Sequence, residues 1–143
     1  MASYRLFLYH IIFSPHKREP VLLKKNRNLL YKYIKGVIGQ KKCHVHAING
    51  IEDHIHLLVE IRPDIAVSDF IKDVKVASSI FIKKNKLFPK FSKWQVGYSA
   101  FTRPYESKER LITYINNQEE HHKRISFYDE YNVILRKNGF HDD

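Results

Sequence analysis

Apolar positions along this chain fall into blocks whose spacing switches between two residues and three to four. Tyr4 to Phe13 (YRLFLYHIIF) is rich in aromatic and β-branched residues and has no breaker, which predicts a buried first strand. A polar connection with two prolines, Ser14 to Pro20, follows. From Val21 to Gly39, Leu22, Leu29, Leu30, Tyr33, Ile34, Val37 and Ile38 recur at helical steps, with basic residues opposite and Gly39 as a stop. Cys43 to Ile48 predicts a second strand, Asn49-Gly50-Ile51-Glu52 a hairpin turn, and Asp53 to Glu60 a third strand antiparallel to the second. Val67 to Lys84 predicts a helix with Phe70, Ile71, Val74, Ala77, Ile80 and Phe81 inward and Ser68 or Asp64 as cap. A last strand runs from Trp94 to Thr102, with Gly97 at a bulge. One helix from Ser107, its N-cap, to Arg124 and another from Ser126 to Asn138 close the pattern.

The order β-α-β-β-α-β with two further helices predicts an α+β fold. It is a ferredoxin- or RRM-like split β-α-β antiparallel sheet with helices packed on it, plus C-terminal helices. With 143 residues, 43% of them hydrophobic, the chain has the material for one domain spanning 1–143 and an ordinary core. That topology serves ferredoxins, RNA-recognition modules and nucleases alike, so function has to come from side chains.

The third strand carries the first candidate chemistry. Alternation puts Ile55, Leu57, Val59 and Ile61 on one face and His54, His56, Leu58 and Glu60 on the other. Two imidazoles at i and i+2 can converge on one metal ion if other residues supply further ligands. His44-Val45-His46 repeats the bare pattern and has no comparable company. In the helix from Ser107, Tyr114 and Gln118 are four apart and share a face. A tyrosine hydroxyl beside a divalent ion and a phosphate can act as a nucleophile, and a glutamine carbonyl one turn on can ligate the ion. His121 and His122, about two turns beyond Tyr114 and roughly 11 Å away by helix rise, are expected in solvent or on phosphate. Glu60 is expected to orient a ligand or water, or to be solvated at the strand end.

Charge narrows the partner. Lys and Arg number 25 against 15 Asp and Glu, a formal +10, which suggests a polyanion bound through phosphate contacts. Lys24, Lys25, Arg27, Lys41, Lys42, Lys83 and Lys84 are the candidates for those contacts, with solvated helix faces as the plain alternative. The single cysteine, Cys43, excludes an internal disulfide and a cysteine-based zinc site and is read as a small buried residue. No run approaches a membrane span, and Met1-Ala2-Ser3-Tyr4-Arg5 lacks the apolar core of a signal peptide, so a cytoplasmic protein without membrane contact is expected.

DHIHLLVE, then WQVGYSAFT, then YINNQEEHHK, in that order and spacing, resembles the single-tyrosine HUH transposases of the insertion sequence 200/605 family. The likeness runs from YHIIFSPHKREPVL to EEHHKRISFYDEY. His54-Ile55-His56 matches the HUH element, and Tyr114 with Gln118 matches the nucleophile and the ligand four residues after it. Flanking Asp53 and Leu57-Leu58 favour His54 and His56 over His44 and His46. The resemblance implies a divalent metal, Mg or Mn, held by His54, His56 and Gln118. It also implies that Tyr114 cleaves single-stranded DNA at a hairpin-bearing element end, leaving a 5′-phosphotyrosine and a free 3′-OH that later allow rejoining. A homodimer that shares its active sites is implied as well. The alternatives are a domesticated relative acting at repetitive extragenic palindromes, a metal-dependent hydrolase without a covalent step, and a non-catalytic single-stranded nucleic-acid binder. The last predicts aromatic side chains exposed on an RRM-like sheet.

Overall fold

The computed structural model describes residues 1–141. Four strands, β1 (Leu8–Phe13), β2 (His44–Ile51), β3 (His54–Glu60) and β4 (Ser99–Thr102), form one sheet in the order β2-β3-β1-β4, every neighbour antiparallel. The helices are α1 (Lys24–Gln40), α2 (Val67–Lys84), α3 (Lys108–Asn116), α4 (Gln118–His121) and α5 (Phe127–Lys137). This is the expected α+β arrangement, a split β-α-β sheet with helices packed on it.

Alternation in β1 and β3 divides the molecule. Ile11, Phe13, Ile55, Leu57 and Val59 join the buried faces of α1 and α2 in the main core, capped by Phe91 and Trp94. Leu8, Ala47 and Leu58 pack under Leu111 and Ile115 of α3, and Ile12 and Phe101 under Phe127 of α5. Helices therefore cover both faces. The exposed aromatic sheet required by a bare RRM-like binder is absent among the described residues: Phe13 is buried and Tyr9 packs against the main core.

Several boundaries differ from the sequence reading. β1 starts at Leu8, leaving Tyr4, Leu6 and Phe7 exposed, and β4 shrinks to Ser99–Thr102 while Trp94 turns into the core and bridges to Pro15. Asn49-Gly50 is not the turn; it lies inside β2, and Glu52 and Asp53 make the turn between the paired Ile51 and His54. The glycine serves close approach instead, since a Cβ at Gly50 would sit 2.0 Å from the His54 carbonyl oxygen. α1 runs past Gly39 to Gln40, and the first residue of α2 is preceded by Ala66 with no side-chain cap from Ser68 or Asp64. Ile80 and Leu29 face solvent, while Ser78, Ile82 and Tyr31 take the inward positions. Ser78 is held there by donating to the Val74 carbonyl and accepting from the Trp94 indole N–H at 2.9 Å.

Candidate active site

The face of the sheet opposite α1 and α2 presents His10 from β1, Asn49 from β2, and His54 and His56 from β3. The helix expected from Ser107 to Arg124 is broken: a single 3₁₀ turn at Tyr105–Ser107 leads into α3, a kink at Asn117 separates α4, and the chain turns back before α5. Ser107 is buried and makes no side-chain cap. Asn49 pins the end of α3, donating from Nδ2 to the carbonyls of Ile115 and Asn116 at 3.1 and 3.2 Å. Ser126 caps α5, accepting from the Asp129 backbone N–H, so that Phe127, Glu130, Tyr131 and Ile134 form its inner stripe.

The side chains converge on Glu130, which is 3% exposed. Its Oε1 lies 3.1 Å from His56 Nε2, 3.3 Å from His122 Nε2 and 3.5 Å from His54 Nε2. Its Oε2 accepts a hydrogen bond from the Tyr114 hydroxyl and another, 3.1 Å, from the Gln118 amide. Gln118 Oε1 in turn lies 2.9 Å from His54 Nε2 and 3.0 Å from His122 Nε2. His54, His56, Tyr114 and Gln118 are thus brought together in one chain. Phe127 stacks flat on the His54 ring at 3.9 Å between centroids, and His10 Nε2 meets His56 Nδ1 at 2.8 Å.

Donor chemistry fits a cation. His54 Nδ1–H donates to Asp53 Oδ1 at 2.8 Å, which leaves the lone pair of a neutral imidazole on Nε2. Nε2 faces the Gln118 carbonyl oxygen at 2.9 Å, and with any proton on it displaced the two can share a cation. A histidine whose second nitrogen donates to a carboxylate or carbonyl is the usual form of a metal-bound imidazole. His54, His122 and Glu130 offer ligand atoms within 4.8 Å of one another.

Electrostatics sets the resting state. Burial pushes His56 down to about 4, against the pull of Glu130, and pushes His10 well below the usual histidine range with His56 adding to it. Burial and the Glu130 carboxylate push the Tyr114 phenol up, so it rests protonated. Burial alone would raise Glu130, but His122 and His56 more than offset it and hold the carboxyl below its usual range. For His122 burial again opposes, and Glu130 prevails and raises it.

Other candidates lie elsewhere. His46 Nε2 sits 3.3 Å from Glu60 Oε2 and stacks edge-on with His44, far along β2, so this pair and Glu60 do not join the cluster. Arg27 is no DNA contact: it is 4% exposed and binds Glu52, Glu119 and the Leu22 carbonyl. His122 is not solvated; its side chain is 3% exposed. His121 comes within 3.2 Å of Glu130. Sequence reasoning missed Glu130 and His10. The signal for Glu130 was a carboxylate inside an otherwise apolar helical stripe.

The family model described as "Transposase IS200 like" matches residues 3–118. This chain belongs to the IS200-like transposase family. It is 26% identical over 117 residues to the ISDra2 transposase TnpA of Deinococcus radiodurans, a match covering 78% of this chain and 84% of that protein. It is 30% identical over 74 residues to the transposase for insertion sequence element IS200 of Salmonella typhimurium, covering 52% of this chain and 49% of that one. Its fold is that of a REP-associated tyrosine transposase solved bound to a REP hairpin: TM-score 0.63 at 18% identity, over 87% of this chain and 76% of the other. Membership in the IS200-like family makes the protein an enzyme of DNA transposition. The family match ends at Gln118, so His121, His122 and all of α5 lie beyond it. No helix among the described residues is long and apolar enough to cross a membrane.

Proposed function

We propose that this transposase cleaves and rejoins single-stranded DNA through a covalent 5′-phosphotyrosine at Tyr114, with a divalent ion held by His54, His56 and Gln118. Supporting this reading is one observation above the rest: the Tyr114 hydroxyl, the Nε2 atoms of His54 and His56 and the Gln118 amide N–H meet at one buried carboxylate. A bound divalent ion, Mg or Mn, supplies Lewis-acid polarisation of the scissile phosphate. Tyr114 Oη attacks phosphorus, the bond from phosphorus to the 3′ oxygen breaks, and the phenol's proton is balanced by the one gained by the released 3′-OH. Attack by another 3′-OH on the phosphotyrosine reverses the exchange and rejoins DNA with no loss of bond count. Asp53 and His10 orient the two imidazoles through their second nitrogens.

The substrate in this reading is single-stranded DNA with a hairpin at the element end, in keeping with the +10 charge and with the hairpin held by the REP-associated relative. Lys25, Lys42, Lys83 and Lys84 remain exposed and suited to phosphate contacts. The chain acts as one domain over 1–143, in the cytoplasm, and as a homodimer; sharing of active sites would need the Tyr114 helix, which here meets its own chain's histidines, to exchange between subunits. Mixing Tyr114→Phe with His54→Ala tests the sharing: recovered cleavage supports it, and an inactive mixture counts against it.

The reaction itself is tested by covalent capture. Wild type and Tyr114→Phe are incubated with labelled single-stranded DNA from the gene's flanks and Mg or Mn, then run on a denaturing gel. A metal-dependent adduct in wild type alone is expected. Cleavage without an adduct in wild type points to a hydrolase instead.

A further inference from the structure

We propose that Glu130 and His122 are themselves metal donors, so that the segment after Gln118 completes the ion site, and that the completed site selects Mn over Mg. The inference rests on the His54–His56–Gln118 reading and extends it.

Two imidazoles converge on one pair of oxygens. His122 Nδ1–H donates to the Ile125 carbonyl at 2.7 Å, so Nε2 is the nitrogen turned toward the cluster and the one that ligates once an incoming ion displaces its proton. That nitrogen faces two more acceptors, Gln118 Oε1 at 3.0 Å and Glu130 Oε1 at 3.3 Å. Nε2 of His54 and Nε2 of His122 therefore aim at the same two oxygens, Gln118 Oε1 and Glu130 Oε1. Each ring is anchored from behind by an oxygen, carboxylate for His54 and carbonyl for His122, as metal-bound imidazoles usually are.

Distances agree. An ion bonding at about 2.1 Å separates adjacent donors by about 3.0 Å in an octahedron and about 3.4 Å in a tetrahedron. The separations of Glu130 Oε1 and Gln118 Oε1 from the Nε2 atoms of His54 and His122 run from 2.9 to 3.5 Å. Glu130 also reaches the nucleophile with its other oxygen, so one carboxylate ties Tyr114 to the ion site. Imidazole-rich donors favour Mn over Mg, which prefers oxygen ligands and retains water.

Calorimetric titration of the metal-free, full-length protein with MnCl₂ and MgCl₂ tests this without reference to cleavage. Glu130→Ala and His122→Ala are each expected to weaken Mn binding by at least about tenfold, and wild type to bind Mn more tightly than Mg. Thermal melts by circular dichroism establish that each variant is folded; should Glu130→Ala fail to fold, Glu130→Gln and His122→Ala carry the test. Unchanged Mn affinity in the folded Glu130 and His122 variants, with binding abolished in His54→Ala, overturns this assignment and leaves the His54–His56–Gln118 reading standing. Unchanged affinity in His54→Ala overturns both. Equal affinity for Mn and Mg in wild type overturns the selectivity.

Discussion

The two faces of the one sheet are built from the same alternating strands and hold opposite contents. Beneath α1 and α2 the sheet buries Ile11, Phe13, Ile55, Leu57 and Val59 against Leu30, Ile34, Phe70 and Val74. Beneath α3, α4 and α5 two small apolar clusters flank a strip of His10, His54, His56, Gln118 and Glu130, all buried. Burying polar groups costs free energy unless every one is paired, and an apolar replacement of a buried ionic cluster is often neutral or stabilising. The first face is what stability alone would select. The second is not, and its perturbed histidines and tyrosine are what a functional site shows.

Substitutions that separate stability from chemistry sharpen the contrast. The largest effect belongs to the apolar face: Phe70→Ala should cost about 3–5 kcal/mol, because the side chain is wholly buried and leaves a cavity, as read by urea denaturation. Metal affinity of the protein that remains folded should not change. On the polar face, His10→Leu should act mainly on metal affinity. The ring's own Nδ1 has no partner, but an apolar side chain strands the buried His56 Nδ1, so the stability loss should be smaller than for Phe70→Ala, about 1–3 kcal/mol. Without the His10 contact at Nδ1, His56 loses its orientation, and Mn affinity should fall about 10–100-fold by calorimetry. A stability loss with no change in affinity would erase the distinction between the faces. Smallest is Asn49→Ala, which removes two hydrogen bonds from the end of α3 and should cost about 1 kcal/mol, with slower but detectable adduct formation.

Elements dominated by local pattern were legible in the sequence. The helix predicted over Val67–Lys84 is α2 to the residue, and the His54–Glu60 alternation places both histidines on the face away from the main core. Tyr114 and Gln118 both reach Glu130, across the kink at Asn117 rather than on one continuous helix. What failed depended on distant partners. Asn-Gly reads as a turn, but Gly50 answers to a backbone crossing at His54 that only the folded hairpin creates. Between Ser107 and Arg124 there is no Gly or Pro, so the kink at Asn117 and the return of His122 to the cluster had only the weak stop signal of Asn116-Asn117. Arg27 looked like one more basic residue on α1 until Glu52 and Glu119, remote in sequence, closed over it. Glu130 is one of fifteen acidic residues, and only its place in the stripe of α5 set it apart.

One measurement tests most directly that the polar face exists to present Tyr114 to DNA. The covalent complex formed with labelled single-stranded DNA is digested with nuclease and trypsin, and the modified peptide is sequenced by mass spectrometry. Cleavage after Arg110 and Lys123 yields Leu111 to Lys123, in which Tyr114 is the only one of the chain's nine tyrosines. A nucleotide on that peptide, at Tyr114, is the result expected. A nucleotide on any other tyrosine, or an active protein that carries none, would contradict the account.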